Sequence, residues 1–267
     1  VVAGFGGYAG ACPVLAARTL GIPALVHEQN SVPGAANRLL AKFAATVCVT
    51  YPDESGAFPA AKVVRTGNPV RGAILSVREA QRLERAGRGL HLLVVGGSQG
   101  ARAVNSAVAE AWPALRTLGV ELWHQTGAQD LSRMQDAYAA QGSEGVRAAP
   151  FIEDMAEAYA WADLVVARAG ATTLAELTVA GVPSLLVPFP YATHDHQTVN
   201  ARWLAARGGA ALLPESELTP ERLVREISEL AQTPGRLAAM AVSGRGEGRP
   251  NAAEAVADEL ERVALAA

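Results

Sequence analysis

Strand and helix signals alternate along nearly the whole chain, and twice an apolar run breaks into a glycine-rich turn ahead of a helix. The first start is Val1–Ala3 followed by Gly4-Phe5-Gly6-Gly7-Tyr8-Ala9-Gly10. The second is His91–Val95 followed by Gly96-Gly97-Ser98-Gln99-Gly100-Ala101. Short unbroken apolar runs fit parallel strands covered on both faces, and a parallel pair needs a crossover, usually a helix, to return the chain. The pattern therefore predicts an α/β protein built from two doubly wound domains facing a cleft. The length of 267 residues is ample for two such units.

In the first unit the signals predict strands at 1–3, 24–27, 46–50 and 62–65, with a loop at 4–10 and helices at 11–20 and 33–43. Gly67-Asn68-Pro69-Val70-Arg71 marks a domain crossing, because the residue before Pro69 is pushed out of the helical region. A polar, Arg- and Glu-rich stretch from Arg78 to Gly89 follows it. In the second unit, strands are expected at 91–95, 120–125, 146–148, 163–167, 184–187 and 210–213. Helices should follow residue 101 and span 128–141, 153–161, 171–180 and 195–207. Three closing helices are expected at 219–232, 234–243 and 250–266.

Half of the residues are hydrophobic and 18% are charged, which excludes a disordered chain. A net charge of −3 gives no electrostatic case for nucleic acid. Cys12 and Cys48 make no disulfide framework, so a reducing, cytoplasmic setting is expected. No apolar run approaches the ~20 residues that cross a bilayer as a helix. An opening on Val1-Val2-Ala3, the tail of a strand with no initiator Met, suggests a fragment.

The segment from Arg168 to Asn200 says most about chemistry. A strand ending at Arg168 runs through small residues into a helix carrying Glu176, and a second strand leads to a loop with His194, Asp195, His196 and Gln197. A helix N-terminus attracts phosphate through its free N–H groups and dipole. A carboxylate beside it suits ribose hydroxyls, as in dinucleotide folds. The combination points to a nucleotide-sugar site. His194, Asp195 and His196 have the composition of metal ligands, but no third ligand is spaced to match, and no metal is expected.

Other motifs carry open readings. Gly4, Gly6 and Ala9 satisfy the dinucleotide fingerprint, with Glu28 near the end of the next strand where a ribose-binding acid belongs. A phosphate-cradling loop and a purely structural turn compete with that reading. His27-Glu28-Gln29-Asn30 places four hydrogen-bonding side chains at the carboxyl end of a parallel strand, the edge where open sheets bind ligands. Asn30 suits a sugar hydroxyl, and Glu28 could orient it or act as a base. Ser98 and nearby N–H groups suit a diphosphate or merely cap a helix. Arg71 could neutralise a diphosphate from the crossing or lie solvated. Ile152 and Met155 could line a slot for a flat base or belong to the core.

Taken together these residues resemble the MurG family of peptidoglycan glycosyltransferases. The resemblance covers essentially the whole chain. It rests on GGY at 6–8, HEQN at 27–30, GNPVR at 67–71, VVGGSQGA at 94–101, FIEDMAEAYAWAD at 151–163, RAGATTLAEL at 168–177 and the loop from Gln197 to Asn200. It implies a GT-B fold of two Rossmann-like domains, the N-terminal one incomplete. That domain would comprise 1–71, with the closing helix within 250–267 packing back on it, and 72–249 would form the donor-binding domain. It implies an inverting hexosyltransferase that moves GlcNAc from UDP-GlcNAc to the C4 hydroxyl of MurNAc in lipid I, forming lipid II. Work at the cytoplasmic face of the inner membrane, as a peripheral protein, is implied as well.

The resemblance also implies roles. Asn30 and Arg71 would contact the nucleotide sugar, Ser98 the diphosphate, and Ile152 uracil through its backbone. Ala171, Thr172, Thr173, Leu174, Ala175 and Glu176 would hold the α-phosphate and ribose, with Glu176 on the ribose hydroxyls. Gln197 would bond the sugar, Gly6, Gly7 and Tyr8 would form an acceptor-side loop, and Glu28 is the candidate base. No metal or other cofactor is implied. Family members carry a further histidine-containing glycine loop ahead of everything here, which would serve the acceptor diphosphate and the base. Two alternatives stand beside this reading: a fragment that only binds the donor nucleotide, and another GT-B UDP-sugar enzyme such as an epimerase.

Overall fold

The computed structural model describes residues 1–79, 89–97 and 100–266. The first unit runs β1 (Val2–Gly4), α1 (Gly7–Thr19), β2 (Ala24–Glu28), α2 (Ala35–Leu40) and β3 (Thr46–Val49), then β4 (Val63–Arg65). Its strands form a parallel sheet in the order β1-β2-β3-β4. After the crossing come α3 (Gly72–Glu79), β5 (His91–Val95), α4 (Arg102–Thr117), β6 (Glu121–Gln125), α5 (Leu131–Gln141) and β7 (Val146–Ala149). Then follow α6 (Met155–Trp161), β8 (Leu164–Ala167), α7 (Ala171–Ala180), β9 (Ser184–Leu186), α8 (His196–Ala206) and β10 (Ala210–Leu212). The last elements are α9 (Pro220–Gln232), α10 (Arg236–Glu247) and α11 (Ala252–Leu265).

The second sheet is parallel throughout, in the order β10-β9-β8-β5-β6-β7. The direction of winding reverses between β5 and β8, so the loops leaving these neighbours diverge to opposite faces and open a crevice at their carboxyl ends. The two central strands show why they are buried. Leu92, Val94, Leu164 and Val166 enter one core with Trp112 and Leu115. Leu93, Val95, Val165 and Ala167 enter the other, with Tyr159, Leu174 and Leu177. The two-residue alternation of a strand sends apolar side chains to both faces, and no position is polar over Leu92–Val95 or Leu164–Ala167.

Three local differences from the sequence signals stand out. The helix expected from residue 11 begins at Gly7, because Gly6 at φ 79° turns the chain directly into it. The helix expected over 33–43 is reduced to Ala35–Leu40. The stretch after Arg71 opens with α3, whose Ile74 and Val77 sit three residues apart and bury against the second unit's core. Most of the polar stretch beyond Arg78 falls on residues 80–88, outside the described residues.

The chain passes between the units twice. Gly67 lies on the first passage at φ 86°, and a Cβ there would stand 2.5 Å from the Cβ of Arg249 on the second. Beyond Arg249, α11 packs Val256 and Leu260 against Leu25 and Cys48 of the first sheet, and Arg262 Nη2 donates to Thr46 Oγ1 at 2.6 Å. Across the seam, Tyr51 meets Trp203 edge to face at 4.9 Å. The guanidinium of Arg207 lies over the same indole at 4.2 Å and that of Arg65 at 5.7 Å. Glu247 pairs with both arginines, at 3.6 Å from Arg65 and 3.5 Å from Arg207.

Candidate active site

β8 delivers the chain to Ala169-Gly170, and α7 starts at Ala171 with no side chain capping it. The backbone N–H groups of an uncapped first turn have no partner within the helix and aim into the crevice. Thr172 is exposed there and Thr173 and Ala175 are half-buried, whereas Leu174 lies in the core. The N–H of Leu174 already donates to Gly170 O at 3.0 Å. Its side chain anchors the helix, and its N–H closes the first helical bond.

Two amides hold this turn in place. Gln197 Oε1 accepts from Ala169 N at 3.2 Å and from Phe189 N at 3.0 Å, which joins the loops after β8 and β9. That occupies its oxygen and leaves the amide nitrogen as the group for a ligand. Asn200 is fully buried. Its Nδ2 donates to Ala169 O at 3.2 Å, while its Oδ1 accepts from Ser31 Oγ at 2.6 Å and Ser31 N at 3.0 Å. Asn200 Nδ2 also lies 3.5 Å from Asn30 Oδ1. One side chain thus fastens the loop after β2 to the loop after β8, and Asn30 faces Ala169 across the cleft.

Glu176 is buried one and a half turns into α7. Arg71 Nη2 pairs with its Oε1 at 3.1 Å, and Tyr159 Oη donates to its Oε2 at 3.0 Å. Burial, and next the neighbouring Glu176 charge, hold the Tyr159 hydroxyl well above the ordinary tyrosine range, so it stays a donor. Arg71 and Glu176 were expected as separate ligand contacts, and the structure brings them together. The arginine side chain keeps 55% of its exposure against 8% for the glutamate, so the arginine is the partner free to move.

Glu28 sits at the end of β2, 3% exposed. Its Oε1 accepts from Asn30 N at 3.0 Å, and its Oε2 accepts from Gly34 N at 3.0 Å and Asn37 Nδ2 at 2.8 Å. Both oxygens are spent on shaping the loop that carries Asn30. Of the two sequence readings of Glu28, orienting Asn30 or acting as a base, these bonds favour the first, because a carboxylate so enclosed is aimed at its own loop. His27 is buried, with Nε2 on Gly67 O at 2.8 Å and its ring stacked on Phe5 at 5.4 Å. Burial lowers its pKa, so it is neutral. Gln29 Nε2 donates to Phe5 O at 2.9 Å, which ties the first glycine turn to the same loop.

Gly6 caps α1, and Gly7 opens on a groove of about 610 Å³ between the units. Asn30, Leu15, Leu39, His194 and His196 share its lining. His194 and Asp195 both adopt left-handed backbone angles, at φ 55° and 54°. That costs roughly 1–2 kcal/mol each for a residue with a Cβ. Asp195 N on Ala192 O at 2.8 Å and His196 Nδ1 on Thr193 O at 2.7 Å help to enforce the bend. The histidines are thus bound into a strained loop at the groove. Ile152 has its side chain in the core and its N–H on Gln125 Oε1 at 3.1 Å. Ser98 lies outside the described residues, as does the side chain of Tyr8.

Tyr159, Asn200 and Gln125 were not predicted as site residues. Each acts through a partner distant in sequence, and no local spacing marks such a contact. Arg168 belongs with them: its guanidinium donates to the carbonyls of Val187 and Pro188, both at 3.2 Å, and pairs with Glu215. It is spent on holding β8 to the loop after β9.

Comparison with known proteins places this geometry. The glycosyltransferase family 28 C-terminal domain matches residues 91–256, and the family 28 N-terminal domain matches residues 1–49. A UDP-N-acetylglucosamine–N-acetylmuramyl-(pentapeptide) pyrophosphoryl-undecaprenol N-acetylglucosamine transferase from Nitratidesulfovibrio vulgaris is 53% identical over 264 residues. That alignment covers 97% of this chain and 71% of the relative. The crystal structure of Acinetobacter baumannii MurG superposes with a TM-score of 0.82 at 41% identity, covering 98% of this chain and 73% of that one. A UDP-GlcNAc 2-epimerase from Neisseria meningitidis, bound to UDP-GlcNAc, superposes with a TM-score of 0.69 at 16% identity, covering 98% of this chain and 75% of the epimerase, a likeness of fold alone. Two Rossmann-like units around a cleft, with helices on parallel sheets, make the fold GT-B. The chain belongs to glycosyltransferase family 28, among its UDP-N-acetylglucosamine–N-acetylmuramyl-(pentapeptide) pyrophosphoryl-undecaprenol N-acetylglucosamine transferases.

Proposed function

We propose that this chain performs its family's transfer, of GlcNAc from UDP-GlcNAc to the C4 hydroxyl of MurNAc in lipid I, by holding the donor on the six-stranded unit and the acceptor against the four-stranded one. The observation that carries this reading is the uncapped start of α7 with Glu176 behind it, joined across the cleft to Asn30 by Asn200. The first-turn N–H groups of α7 would take the α-phosphate, where their partial positive charge also stabilises the departing diphosphate. Glu176 would accept from the ribose hydroxyls. Arg71 would then leave its Oε1 for the diphosphate, while Tyr159 keeps hold of Oε2. The Gln197 amide nitrogen and Asn30 would bond the sugar. The acceptor oxygen attacks the anomeric carbon from the face opposite UDP, the C1–O bond to the diphosphate breaks, and the hydroxyl proton passes to a base. The α donor gives a β product. Glu28 serves this step by fixing the Asn30 loop, which is positioning rather than proton transfer.

Titration calorimetry with UDP-GlcNAc, UDP and NADH tests the donor half. Binding of both uridine nucleotides with no NADH heat is expected, and the opposite pattern would overturn the assignment. For the acceptor side we further infer peripheral contact with the cytoplasmic membrane face. No helix among the described residues is long and apolar enough to cross a membrane. Leu15, Leu20, Ile22, Leu39 and Phe43 are exposed on and just beyond α1 and α2, two helices that touch. Leu20→Glu with Phe43→Glu should reduce co-sedimentation with anionic vesicles several-fold and leave UDP affinity unchanged. Undiminished sedimentation would place the contact elsewhere.

A further inference from the structure

We propose that Gln125 is a positioning residue that ties the base end of the donor site to its diphosphate end. The inference rests on the UDP-sugar reading above. Gln125 closes β6, next to the switch strand β5, and is 2% exposed. Its single amide makes two bonds in opposite directions. Oε1 accepts from Ile152 N at 3.1 Å, in the loop expected to meet the uracil. Nε2 donates at 3.2 Å to Gly97 O, in the second glycine turn, expected to meet the diphosphate. That same carbonyl accepts from Gly100 N at 3.1 Å and so closes the turn.

The segment around Gln125 is built to hold it still. Gly100, at φ 75°, lies so close to Thr126 that a Cβ would stand 2.7 Å from Thr126 O. On the other side, Thr126 N donates to Ala149 O at 2.9 Å and Gly127 N to Pro150 O at 3.1 Å. Beneath the segment, Asn105 Nδ2 donates to Thr126 O and to Asp130 Oδ2, both at 2.8 Å. Asn105 Oδ1 is therefore an acceptor, so His124 must carry its proton on Nε2, 3.0 Å away, and accept from Tyr138 Oη on Nδ1 at 2.7 Å. The side chains of Asn105, His124 and Gln125 are thereby each fixed in one orientation. The 124–127 segment thus acts as a fixed strut, and Gln125 is the side chain through which both nucleotide loops bear on it. A nucleoside diphosphate that must reach both loops at once gains from having their separation set beforehand.

Two isosteric variants separate the bonds. Gln125→Met removes both, and Gln125→Glu keeps an acceptor for Ile152 N–H while turning a carboxylate oxygen against Gly97 O. Gln125→Met should raise the KM for UDP-GlcNAc and the Kd for UDP about 10-fold, the scale of one or two buried hydrogen bonds, with kcat held within about twofold. Gln125→Glu should match the wild type in its Kd for uridine, which lacks phosphate, yet lose UDP affinity by a similar factor. Unchanged UDP affinity in both variants overturns the proposal, as does a parallel fall in kcat and affinity tracking a lowered Tm. If Gln125→Met does not fold, the split between uridine and UDP in Gln125→Glu decides alone. Wild-type protein that binds no UDP would overturn the donor reading as well, whereas wild-type binding beside indifferent variants overturns only the role of Gln125.

Discussion

Among single residues, Glu176 carries the clearest consequence. Its two oxygens receive Tyr159 and Arg71, so the carboxylate is oriented before any ligand arrives. Glu176→Ala should weaken UDP binding by ~1.5–3 kcal/mol, the cost of a lost charged hydrogen bond, measurable by calorimetry. Glu28→Gln should act differently. A glutamine cannot accept from Asn30 N on one atom and from both Gly34 N and Asn37 Nδ2 on the other without turning an NH₂ against a donor. Turnover with a lipid I analogue should drop at least about 10-fold, more than affinity for UDP does, since the bonds lost shape the loop that carries Asn30 and UDP lacks the sugar Asn30 would meet. Residue types and their edge of the sheet were legible in the sequence: Glu176, Gln197 and Asn30 all lie along the cleft. Their partners were not. Arg71 lies 105 positions from Glu176, and Asn200 lies 170 from Asn30. Such pairings exist only once two crossings have folded the units together.

At the scale of elements, strands were read well because central parallel strands are short, apolar and bounded by turns, a pattern few other structures produce. Helix starts were read less well. The glycines at 4–10 signalled a loop, yet α1 begins within them, because a positive φ at Gly6 lets the helix follow almost at once. β6 shows a further property that composition hides. His124, fully buried at its carboxyl end, has its pKa lowered to about 3 by burial. The unfolded chain takes up a proton near pH 6.5 that the folded chain refuses. Stability should therefore be flat above that value and fall as pH drops toward 3, by up to ~1.4 kcal/mol per pH unit for this one group. His27 adds in the same direction. Urea midpoints at pH 7, 6 and 5 should show the decline, and His124→Gln should flatten its slope by one proton's worth.

For the molecule as a whole, the relation between the units depends on two chain passages that touch. Gly67 meets Arg249 with no room for a methyl group and at a backbone angle that suits glycine. Gly67→Ala should cost about 2 kcal/mol or more in stability and lower kcat, while affinity for UDP, most of whose proposed contacts lie in the six-stranded unit, falls less. A fall in UDP affinity equal to the fall in kcat would contradict that division. The double passage has one more consequence, for the order in which the protein can be made. The first sheet is synthesised early, but the face formed by Leu25 and Cys48 waits for Val256 and Leu260 of α11. At 5–20 residues per second, roughly 200 intervening residues leave that face bare for about 10–40 seconds on the ribosome. A nascent chain of this kind offers chaperones an early binding surface, and release of that surface marks completion of α11.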